Sequence, residues 1–126
     1  MAERDIKGEI ATISATLSDI ESVLNIDAIK REIIKLEDKA AEPNLWNDQE
    51  NAQKVTSALS RSQAIVSKVS SLHARIEDIA VLLDLAKSEE DKSALADVES
   101  ELDSLNSAIG ELEVQTLLSG EYDHRD

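Results

Sequence analysis

Cysteine and phenylalanine are both absent from this chain of 126 residues, which holds one tryptophan, one tyrosine and one proline. Without cysteine there is no disulfide, no thiolate metal site and no thiol nucleophile, which suits a reducing compartment. With so few aromatics the core has to be Leu, Ile, Val and Ala, and a sheet domain of alternating β-branched and aromatic residues is disfavoured. The three glycines, at 8, 110 and 120, stand too far apart for a loop that cradles phosphate. No apolar run approaches the roughly 20 residues that span a bilayer. Met1-Ala2-Glu3-Arg4-Asp5 lacks the basic-then-apolar order of a secretion signal. These absences point to a cytoplasmic protein with no membrane partner, of a length for one domain.

Positive charge is also scarce. Thirteen Lys and Arg stand against 27 Asp and Glu, a net charge of −14. Residues 89–126 hold twelve acidic side chains and two basic ones, Lys92 and Arg125, a net of −10. The first 88 residues carry fifteen acids and eleven bases, a net of −4. A polyanion gains nothing by neutralising phosphates, so no direct nucleic-acid grip is expected. An acidic surface favours basic protein partners, or is simply a solvated helix face.

What the chain does have is helical periodicity. From Asp48 to about Lys87, apolar residues fall at Val55, Leu59, Val66, Val69, Ile76, Ala80 and Leu83, alternating three and four apart, with Ser62 and His73 as polar entries. A second file, Ala58, Ile65, Leu72, Ile79 and Ala86, widens the stripe beyond what a two-stranded seam needs. No Pro or Gly interrupts this stretch. It predicts a helix roughly 60 Å long, the spine of a bundle.

An earlier helix carries Ile6, Ile10, Ile13, Leu17, Ile20 and Leu24, with Gly8 weakening its first turns by about 1 kcal/mol relative to Ala. Asp27 is the better N-cap for a second helix starting at Ala28, with Ile29, Ile33, Leu36 and Ala40 on one side and Pro43 as its stop. In the loop Pro43–Asp48, Asn47 or Asp48 can cap the long helix, and Leu45 and Trp46 fold back over the bundle end, Trp46 as a packing anchor with ligand contact as the alternative. Ser88-Glu89-Glu90-Asp91 separates the long helix from a fourth, with Leu95, Val98, Leu102, Leu105, Ile109 and Leu112. Ser119-Gly120 reads as its stop, followed by a polar tail. The expectation is an all-α fold, an elongated antiparallel helical bundle or coiled-coil hairpin of three to four helices. Residues 1–118 are expected to form the helical domain, with the polar stretch 119–126 after it.

Catalytic constellations are missing. A di-iron bundle needs Glu-x-x-His on two helices. Glu121-Tyr122-Asp123-His124 has that spacing once, beyond the expected helix stop, while Ser70 occupies the position three before His73. His73 reads as a core-edge residue, and Glu99, Glu101, Asp103, Glu111 and Glu113 as a wet surface. No metal, no cofactor and no enzyme activity are expected.

Two segments carry a family resemblance. Pro43-Asn44-Leu45-Trp46-Asn47-Asp48 resembles a loop in the first domain of the bacterial peptide chain release factors, and Trp46 favours the type that reads UGA and UAA. Leu118-Ser119-Gly120-Glu121-Tyr122-Asp123 resembles the junction where that domain passes into the rest of the factor. Leu82-Leu83-Asp84-Leu85-Ala86 and the acidic turn after it look like the same domain. The match covers roughly Leu24 to Asp126. It implies an N-terminal domain that projects toward a ribosomal protein at the base of the ribosomal stalk and bears on the response to the GTP-binding release factor. The Gly-Gly-Gln loop that serves peptidyl-tRNA hydrolysis in that family, and its codon-reading tripeptide, do not occur here. On this reading Ser88–Asp91 forms the distal tip, with Lys87, Glu89, Glu90 and Asp91 as partner-binding residues. A free-standing acidic coiled-coil adaptor or oligomerisation module fits the same spacing.

Overall fold

The computed structural model describes residues 5–124, with side chains as far as Leu118. Four α-helices and one 3-10 turn account for the described chain: α1 (Ile6–Leu24), α2 (Ile26–Ala40), the turn Leu45–Asn47, α3 (Gln49–Ser88) and α4 (Lys92–His124). No strand occurs among the described residues. The fold is the all-α helical bundle that the spacing predicts.

Each helix start has a capping side chain. The Asp5 carboxylate accepts from Gly8 N at 3.0 Å to open α1. Asp48 Oδ1 accepts from Asn51 N at 3.1 Å to open α3. The second start differs from expectation, because Asn25 and not Asp27 caps α2, with its side chain accepting from Ala28 N at 3.3 Å. Asn25 is left-handed (φ 56°), a conformation that Asn tolerates better than most residues, so one position both ends α1 and starts α2. Asp27 lies inside the first turn of α2, where its charge suits the positive end of the helix.

The chain groups into two compact units. One combines the residues up to Val23 with those from Ser71 onward, and the other is Leu24–Ser70. In the first unit the buried aliphatics are Ile6, Ile13, Leu17 and Ile20 of α1, Leu72, Ile76, Ile79, Leu83 and Ala86 of α3, and Val98, Leu102, Leu105, Ile109 and Leu112 of α4. Thr116 is the one buried polar side chain among the described residues. Its hydroxyl donates to the Leu112 carbonyl at 2.7 Å, so the hydroxyl is satisfied within its own helix. Polar links then fix neighbours: Arg75 of α3 bonds Glu101 Oε1 of α4 at 2.7 Å through Nη2 and Ser104 Oγ at 3.1 Å. His73 of α3 pairs with Glu21 of α1. His73 lies at the border of the buried file, rotated about 100° from buried Leu72, and bridges to α1 from there. One expectation changes here: Glu101 is half-buried in an ion pair instead of lying on a wet surface.

In the second unit Leu36, Leu45, Ala52 and Val55 form the buried cluster, with Ala40, Ala58 and Leu59 packed against it. Leu45 is thus an anchor, but Trp46 is not: it is 62% exposed. Adjacent residues in a 3-10 turn diverge by about 120°, and only one of the pair can face inward.

The helix stop expected at Ser119-Gly120 is also overturned, since α4 continues through both to His124. Glu121-Tyr122-Asp123-His124 therefore sits on helix, while its side chains lie outside the described residues. Glycine permits a left-handed stop but does not enforce one.

Truncating fully buried Leu102 to Ala should lower stability by about 2–5 kcal/mol in a urea titration. Trp46→Ala should stay within about 0.5 kcal/mol of the parent in the same assay, as for other surface positions.

Candidate interaction surface

The turn between α3 and α4 is built almost wholly from backbone hydrogen bonds. Asp91 N donates to the Ala86 carbonyl at 3.0 Å and Glu90 N to the Lys87 carbonyl at 3.3 Å. Glu90 is left-handed (φ 52°). Together these make a Schellman closure, with Glu90 at the position where Gly is most common. Asp91 then serves both helices. Its N–H closes α3, and its Oδ1 accepts from Ser93 N at 3.0 Å and Ala94 N at 3.1 Å to open α4.

The four residues expected to bind a partner come together at this turn but have different roles. Lys87, Glu89 and Glu90 are exposed, and the fold uses only the backbone of Glu89 and Glu90. Asp91 is exposed as well, yet its carboxylate is committed to the cap of α4.

Residue spacing alone missed an apolar feature beside the turn. Val81, Leu82 and Leu85 of α3 are 58%, 47% and 52% exposed. At one and four residues apart they share a face of the helix, distinct from the buried Ile79, Leu83 and Ala86. The signal was present as surplus: Val81, Leu82 and Leu85 are apolar residues that neither core file needs. Asp78 and Asp84 lie exposed around them on α3. The last two turns of α3 thus offer three aliphatic side chains within an acidic rim, followed by Glu89 and Glu90. An apolar centre with a charged border is the make-up of a protein-binding surface.

Trp46 is a separate exposed feature of the Leu24–Ser70 unit. It borders a shallow groove of about 460 Å³ lined also by Gln49, Glu50 and Gln53. Nothing in either place resembles reaction chemistry. Among the described residues no group of three or more His, Asp or Glu could hold a metal ion. No helix of the described residues is long and apolar enough to cross a membrane.

A family model described as the PCRF domain matches residues 29–126. The chain is 47% identical over 126 residues to the protein named peptide chain release factor 2 of Streptomyces avermitilis, covering 100% of this chain and 34% of that protein. It is 47% identical over 122 residues to peptide chain release factor 2 of Rhodococcus jostii, covering 97% and 33%. Against the protein of the same name in Salinispora tropica the figures are 46% over 126 residues, covering 100% and 34%. The chain spans about a third of the length of these curated relatives.

Glu90→Gly should raise the stability of the domain by about 0.5–1 kcal/mol, because the left-handed penalty of a side-chain-bearing residue exceeds the entropic cost of Gly. Thermal unfolding followed by circular dichroism checks the sign. A lower melting temperature would contradict the strained turn.

Proposed function

The chain belongs to the PCRF-domain family, and from that premise we propose that it is the N-terminal helical domain of a cytoplasmic translation termination factor of the type that reads UGA and UAA. The supporting observation is identity near 47% along the whole chain with proteins named peptide chain release factor 2. In this reading the domain is an arm that contacts the ribosome and performs no chemistry. Residues 119–126 lead from it into the core domain that reads the codon and serves peptidyl-tRNA hydrolysis.

The physical character of the arm fits such a role. Its contact region is the end of α3 and the turn after it, where Val81, Leu82 and Leu85 supply apolar area beside Glu89 and Glu90. Ribosomal proteins are basic on the whole, because they neutralise RNA, and an acidic rim around an aliphatic centre complements such a partner. Charge governs the rate of encounter and the apolar centre governs the lifetime of the contact. We assign the partner to a ribosomal protein at the stalk base, and the domain's influence on the GTP-binding release factor to the same end of the arm.

In the full-length factor, Val81→Ser with Leu82→Ser and Leu85→Ser should weaken binding to stop-codon-programmed ribosomes about tenfold, the equivalent of about 1.4 kcal/mol. Glu89→Lys with Glu90→Lys should slow association several-fold, with an effect that shrinks as salt rises. Unchanged binding in both variants would move the contact elsewhere. The chain by itself should release no peptide from such ribosomes, and measurable turnover would sink its role as a passive arm.

A further inference from the structure

The outward side of α4 changes character along its length. In its middle turns the side opposite the buried file carries Ser100, Asp103 and Ser107, all exposed. Three residues farther on, at Gly110, an added Cβ would meet nothing within 4 Å. Then, in the last turns with described side chains, the same side carries Val114, Leu117 and Leu118, which are 56%, 64% and 57% exposed. These three are spaced i, i+3 and i+4, so they form one continuous apolar strip. Leu112 and Thr116, half a turn away, are buried. This end of α4 thus carries a second, outward apolar strip besides its buried file, bordered by exposed Glu111, Glu113 and Gln115.

We propose that Val114, Leu117 and Leu118 are the seat against which the polypeptide following residue 126 packs in the complete factor. The proposal rests on the reading of the chain as the N-terminal part of a longer protein. Two observations select this occupant. The relatives are about three times as long as the chain, so a large body of polypeptide is available to cover the strip. The helix carrying the strip continues to His124, so the polypeptide after residue 126 begins within about ten residues of Leu118 and is tethered close to it. A tethered segment of this kind works at millimolar effective concentration, well above that of a second copy or a free partner. The strip would make the arm a fixed extension of the core and not a freely pivoting one.

The 126-residue chain has no cysteine of its own, so an introduced thiol is its one alkylation site, and in the full-length factor the labelled peptide identifies it. Leu117→Cys and, as an internal control on the same side, Ser107→Cys are placed both in the 126-residue chain and in the full-length factor. Thiol alkylation is followed by mass spectrometry of the peptide concerned, without ribosomes. The seat predicts that position 117 reacts at least tenfold more slowly in the full-length factor than in the short chain, while position 107 reacts at similar rates in both. Equal rates at 117 would overturn the proposal. So would protection at 117 in the short chain that grows with its concentration, since the occupant would then be a second copy. Hydrogen exchange on the unsubstituted proteins guards against a cysteine variant that packs poorly, with protection of the 114–118 amides in the full-length factor only as the supporting result. Because no ribosome is present, failure here leaves the ribosome-binding reading standing, and failure of that reading leaves this one measurable.

Discussion

Burial of branched aliphatic side chains along helical seams is the constraint from which the rest of this structure follows. With no Phe and one exposed Trp, the core draws on residues that each remove modest area from water, so it needs many of them in regular files. Long helices are the economical way to present such files, since every third or fourth residue returns to the same line. The polar contacts act on top of this. Arg75 with Glu101 and Ser104, and His73 with Glu21, join neighbouring helices at their borders. Half-exposed pairs of that kind add little stability.

The seams were the legible part of the sequence. The files of α1, α3 and α4 repeat at three and four residues, and most of the buried positions fall on them, from Ile13 and Leu17 to Leu105 and Ile109. Less legible were decisions made by a single residue. At Leu45-Trp46 both side chains are apolar and a short turn admits only one inward, so neither composition nor spacing could choose between them. Asn25 and Asp27 are both good caps, and the choice went to the residue that could also turn left-handed. Gly120 allows a stop that the helix does not take, because helical hydrogen bonds continue on either side of it.

For the candidate interaction surface the division is similar. The turn and its acids could be read from Ser88–Asp91, but the exposed Val81, Leu82 and Leu85 could be recognised only once the core files had been assigned their inward direction. Sequence likewise could not separate Asp91, whose carboxylate holds the next helix, from Glu89 and Glu90, whose carboxylates hold nothing. Those roles differ through geometry and not through residue type.

That last contrast has an evolutionary reach. The bend between α3 and α4 is specified by peptide groups and by one capping carboxylate, whereas the negative charge displayed there belongs to the Glu89 and Glu90 carboxylates, which the bend does not use. Shape and polarity at this corner are thus encoded in different atoms. A lineage could recolour the corner from acidic to neutral, or even to basic, through two codons, and inherit the bend unaltered.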